Sequence, residues 1–240
     1  MTLTPAFRAF IDESNTPLFR SGIDDRRRPY VACSAIVPAK DELAVLKAIP
    51  CDPQSGERLK GSSRNMTDAL AANFIKAVLS TESVISIVGV DGGDSANIEG
   101  ATRLTEGANH YRRQSKRPVI SRGSAMYLLT ASKALSEALL SFYKRNGQYL
   151  SFFDVVFDHG NIKGKETERV AETLKAVYSK NGFTVQSISW SSEEEEPLLF
   201  IPDIFSGVTR RQATHNDLPQ AWSQIQRAIQ SKRLVYKDGI

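Results

Sequence analysis

Four acidic side chains close or follow strongly apolar runs in this sequence. Asp12 and Glu13 end the run Phe10-Ile11-Asp12-Glu13-Ser14, Asp158 ends Phe152-Phe153-Asp154-Val155-Val156-Phe157-Asp158, and Asp203 lies in Ile201-Pro202-Asp203-Ile204-Phe205-Ser206-Gly207. An apolar run that stops on a carboxylate reads as a buried strand delivering its last side chain to a sheet edge. Sites of open α/β sheets form outside the carboxyl ends of strands. If the strands bearing Asp12 and Asp158 are parallel neighbours, both carboxylates reach one edge, and Asp203 approaches from the last part of the fold. Ionised carboxylates held together repel, which raises at least one pKa unless a cation joins them. Mg2+ or Mn2+ suits oxygen ligands and leaves positions open for substrate phosphates. Two such ions about 4 Å apart activate a water and stabilise the departing oxygen of a phosphodiester. Taken singly, each acid also has a plain structural use: a strand-end aspartate starts a polar loop, and one early in a helix complements the helix dipole.

The elements that must position these groups follow from the apolar periodicity. Strands are predicted over 7–13, 30–37, 84–90, 152–158 and 184–190, the first two antiparallel. Helices are predicted over 41–49, from an N-cap at Thr67, and over 124–144, 165–180, 202–211 and 217–232. Pro202 takes the first position of its helix, and Gly182 caps the helix before it. Glu193–Glu196 reads as a solvated turn and the polar segment 91–122 mostly as loop. With no repeat or linker to divide it, the chain is expected to be one α/β domain over 1–240: a mixed sheet flanked by helices, core about 7–211, with a C-terminal helix at 217–232.

Composition narrows the class. Of 240 residues, 41% are hydrophobic and 24% charged, and the net charge of +4 permits a polyanionic partner without requiring one. No run approaches the roughly 20 apolar residues of a membrane span. Met1-Thr2-Leu3-Thr4-Pro5 lacks the regions of a secretory signal. Cys33 and Cys51 form neither a zinc pattern nor a disulfide framework. Zinc-finger, secreted-scaffold, coiled-coil and membrane classes are set aside, and a cytoplasmic location with no membrane partner is expected.

Ile11-Asp12-Glu13-Ser14, Leu59-Lys60-Gly61, Phe157-Asp158 and Pro202-Asp203-Ile204-Phe205-Ser206-Gly207, in this order and spacing from about Phe7 to Arg211, resemble the domain-of-unknown-function 3800 family of the ribonuclease H-like superfamily. The resemblance implies a ribonuclease H-like sheet with Asp12, Asp158 and Asp203 as ligands of Mg2+ or Mn2+, Glu13 as a fourth carboxylate, and Lys60 beside the site, holding or neutralising phosphate. Members occur in bacteria and phages, some beside defence genes. One departure stands out: the family often has glycine after aspartate-glutamate-serine, where this chain has Asn15.

A phosphodiester substrate wants cations nearby. Arg112, Arg113, Lys116, Arg117 and Arg122 form a dense basic cluster, with Tyr111 among them able to stack on a base. Arg26–Arg28, Arg64, Arg210 and Arg211 are further candidates, and His159 follows Asp158 directly. Val88-Gly89-Val90-Asp91-Gly92-Gly93-Asp94-Ser95 offers a rival phosphate loop like that of actin-like kinases, without their threonine-bearing continuation. The expected function is therefore metal-dependent phosphodiester hydrolysis, a nuclease acting on RNA or DNA. The alternatives are a non-catalytic nucleic-acid or nucleotide-binding module or sensor, or a structural interaction protein. A homo-oligomer is left open.

Overall fold

Two strands at the centre of the sheet, Phe7–Ser14 and Tyr30–Pro38, set the rest of it. The computed structural model describes residues 6–14, 30–90, 122–147, 149–159 and 165–238, together with 99, 102–103 and 106. Strand β1 (Phe7–Ser14) pairs antiparallel with β2 (Tyr30–Pro38), whose nine residues are all buried. On its other side β1 runs parallel to β4 (Ser151–Asp158), and β4 runs parallel to β5 (Thr184–Ser191). Beyond β2, β3 (Val84–Val90) is antiparallel to it and β6 (Leu234–Asp238) parallel to β3. The order β5-β4-β1-β2-β3-β6 places the strands of Asp12 and Asp158 side by side and parallel, which brings both carboxylates to one edge.

Strand alternation divides the core in two. Phe10, Cys33, Ile87 and Val156 face one layer, covered by α1 (Glu42–Ala48), α2 (Asp68–Leu79), α5 (Phe200–Thr214) and α6 (Pro219–Gln230). Ala9, Ile11, Val155 and Phe157 face the other, covered by α3 (Arg122–Asn146) and α4 (Lys165–Lys180). Thr67 caps α2 as expected, its Oγ1 accepting the Leu70 N–H at 3.3 Å. Gly182 follows α4 at φ +86°, in the left-handed region that favours glycine at a helix end.

Two expectations are corrected. Pro202 does not open its helix: a 3-10 turn at Pro197–Leu199 leads into α5, which begins at Phe200. Its missing N–H costs nothing there, because first-turn N–H groups have no intrahelical partner. The last helix ends at Gln230, and the chain adds β6 against β3, a pairing made only in the folded sheet. Of segment 91–122, residues 99, 102–103 and 106 are helical and Arg122 belongs to α3; the rest of the segment lies outside the described residues. The Asp91–Ser95 part of the rival phosphate loop lies outside the described residues.

One close approach shapes the site. A Cβ on Gly61 would stand 2.5 Å from the Asp203 carbonyl oxygen, and one on Gly207 would stand 2.8 Å from the Gly61 carbonyl carbon. The Leu59-Lys60-Gly61 loop therefore lies directly on α5, backbone against backbone. Among the described residues no helix is long and apolar enough to cross a membrane.

Candidate metal centre

Asp12 sits two residues beyond Phe10 and so projects to the α5 side of the sheet. Parallel register pairs Ile11 with Phe157, so Asp158 is the next position along β4 and falls beside Asp12. Asp203 comes down from the first turn of α5. Glu193, just past the end of β5, completes the edge. Asp12, Asp203 and Glu193 are all buried.

These acids form two overlapping groups. One carboxylate oxygen from each of Asp12, Glu13 and Asp158 lies within 4.8 Å of the others, and the same holds for Asp12, Glu193 and Asp203. Asp12 belongs to both. The backbone fixes part of each group: the Glu13 N–H donates to Asp12 Oδ1 at 2.7 Å, and the Gly61 N–H donates to Asp203 Oδ2 at 2.7 Å. Tyr127 donates its hydroxyl to the Asp158 carbonyl oxygen at 3.3 Å, and Arg210 Nε donates to Ser14 Oγ at 2.7 Å, holding the two strand ends. Lys60 reaches the centre through Glu193, Nζ to Oε1 at 2.7 Å.

Burial dominates the electrostatics. It pushes the Asp12 carboxyl well above the ordinary range, and the Glu13, Asp203 and Asp158 charges push in the same direction. Burial, then the Asp158 charge, lifts Glu13 to about 8. Asp203 rises to about 7, chiefly through burial with Glu193 and Asp158 adding to it, against the opposing Gly61 N–H and Lys60 ammonium. Carboxylates so held favour protonation unless a cation compensates. The donor set suits a hard divalent cation: it is all carboxylate oxygen, and Glu13 Oε2 is buried with no hydrogen-bond partner.

The expected residues Asp12, Glu13, Asp158 and Asp203 thus come together, with Lys60 beside them. Arg112, Arg113, Lys116 and Arg117 lie outside the described residues, as do Arg26–Arg28 and Tyr111, and the same is true of the Arg122 side chain. Arg211 is engaged with Asp217, its Nη2 2.6 Å from Oδ2, and Arg64 is exposed. His159 is exposed at the rim, with Nε2 3.8 Å from Glu195 Oε2. The solvated turn at Glu193–Glu196 is corrected: Glu193 is buried in the centre, and Glu196 pairs with Arg8. The available signal for Glu193 was its place two residues past β5, the strand beside β4.

Neither a protein-family model nor a curated protein sequence matches the chain. Among solved structures, it is similar to ribonuclease HII of Archaeoglobus fulgidus, in a complex with PCNA, with a TM-score of 0.44 and 13% identity over 95% of this chain and 90% of that one. The class that the sheet itself defines is a mixed α/β fold with helices on both faces, β2 running antiparallel to both of its neighbours, β1 and β3. Its distinguishing feature is a carboxylate centre at the C-terminal edge of β1 and β4.

Proposed function

We propose that this protein is a divalent-metal-dependent phosphodiester hydrolase, a nuclease acting on RNA or DNA, and a member of the domain-of-unknown-function 3800 family. The observation that carries this reading is the pair of carboxylate groups sharing Asp12. A divalent ion bound there would supply an activated water and charge neutralisation at the departing oxygen. Asp12, Glu13 and Asp158 would hold one ion, and Asp12, Glu193 and Asp203 a second. The chain's own contribution is positioning. The parallel strands bring Asp12 and Asp158 to one edge, the Gly61 N–H fixes one Asp203 oxygen and leaves the other for a ligand, and Lys60 supplies positive charge at the rim. Burial keeps these groups from exchanging freely with water, which strengthens any charge interaction inside the centre.

The test is cleavage of labelled RNA, DNA and RNA–DNA hybrid with Mg2+, with Mn2+ and with a chelator. Ion-dependent cleavage that Asp12→Ala abolishes is expected. Undiminished cleavage by both Asp12→Ala and Asp203→Ala, after a contaminating nuclease is excluded, ends the proposal. Nucleic-acid binding without any ion affinity would instead identify a binding module.

A further inference from the structure

We propose that the Lys60 ammonium holds the second cation position of this centre, so that Asp12, Glu193 and Asp203 take a divalent ion only when Lys60 releases Glu193. The inference rests on the metal-dependent hydrolase reading and concerns how that site is filled.

The two carboxylate groups differ in what already occupies them. Glu13 Oε2 is buried with no partner, so the first group keeps an oxygen ready for an ion. Glu193 in the second group already has one oxygen, Oε1, held at 2.7 Å by the Lys60 ammonium. An ammonium and a divalent ion on the same carboxylate repel each other. The geometry also shows how Lys60 can leave. Its side chain is 52% exposed whereas that of Glu193 is 10% exposed, so the cation enters from the solvent side and has a way back out. The backbone beneath is fixed: Gly61 donates to Asp203, the Lys60 N–H donates to Ser63 Oγ at 3.0 Å, and the Ser63 N–H donates to the Lys60 carbonyl at 2.9 Å. Only the four-carbon stem swings. A phosphate at the rim draws the ammonium away and frees Glu193, so phosphate and the second ion assist each other's binding, reciprocally.

The experiment is a Mn2+ binding isotherm, by calorimetry and by the electron paramagnetic resonance of free Mn2+, on the full chain without nucleic acid. Wild type takes one ion tightly and a second at least about tenfold more weakly. Lys60→Met strengthens the second by about tenfold or more, while Lys60→Arg, which keeps the charge, retains the wild-type isotherm. Glu193→Gln takes one ion only. Identical isotherms for wild type and Lys60→Met, or a weaker second ion in Lys60→Met, overturn the role of Lys60 and leave the hydrolase reading intact. No Mn2+ binding by any of the proteins overturns both.

Discussion

The Gly61 N–H donates to Asp203 Oδ2 at 2.7 Å across 142 positions of sequence. That bond forms only because Gly61 rests on α5 at the Asp203 carbonyl and at Gly207, where neither glycine leaves room for a Cβ. The loop and the helix are thus one unit, and the acid's orientation depends on the contact between two glycines.

Gly207→Ala tests that dependence. In an exposed helix interior alanine is better than glycine by about 1 kcal/mol, so propensity alone predicts a more stable protein. Here the new Cβ meets Gly61 backbone at 2.8 Å, and overpacking of this kind costs about 1–3 kcal/mol. A fall in melting temperature is expected, by about 2–4 °C per kcal/mol for a chain of this size, together with weaker Mn2+ binding as Asp203 loses its donor. A melting temperature at or above wild type would show that the loop does not bear on the helix.

The buried acids make stability pH-dependent in a definite direction. Asp203 titrates at about 7 and Glu13 at about 8 in the folded protein, both far above the ordinary carboxyl range, mainly because of burial. Between the ordinary range and these values the folded chain retains protons that the unfolded chain has released. Unfolding free energy therefore falls as pH rises. Stability from these groups is complete below about pH 4 and is lost as pH rises through about 7 to 8. Melts of metal-free protein, taken from about pH 5.5 to about pH 8.5, should show the decline. Asp12→Asn should flatten it, since it removes one buried charge from both groups, and saturating Mn2+ should do the same by binding only the folded form. A melting temperature that rises over this interval contradicts the assignment.

Cys33 stands opposite Asp12 in the β1–β2 register and is fully buried, whereas Cys51 is exposed. Burial, then the Asp12 charge, pushes the Cys33 thiol well above its ordinary pKa, so the reactive thiolate is scarce as well as inaccessible. A thiol reagent should titrate one group in the native protein and two in denaturant. Equal reaction of both thiols in the native protein would mean that the centre of the sheet opens readily.

How much of this was legible in the sequence depended on the range of the cause. The apolar runs of β1, β3 and β4 announced their burial locally, and the carboxylates ending β1 and β4 announced the edge where they meet. β6 carried no such signal. Leu234–Asp238 is five residues long and becomes a strand only by pairing with β3. The contact of Gly61 with Asp203 and Gly207 is equally non-local, and no period in the sequence announces it. Glu193 was concealed by its neighbours: composition cannot distinguish four consecutive glutamates, and only the end of β5 turns the first of them inward.

That difference among the glutamates is measurable. Glu193 is buried within reach of Asp12 and Asp203, and Glu194, the next residue, is exposed. Both substitutions to glutamine remove one negative charge from the same turn, so any effect of net charge on nucleic-acid affinity is shared. Only Glu193→Gln removes a carboxylate from the second group and leaves the Lys60 ammonium without its anion. The loss of one charge-stabilising group at a reacting centre typically costs about 10²-fold or more in turnover. Cleavage by Glu193→Gln should fall by that order, and cleavage by Glu194→Gln should stay within about twofold of wild type. Equal activities for the two variants would place Glu193 outside the working site.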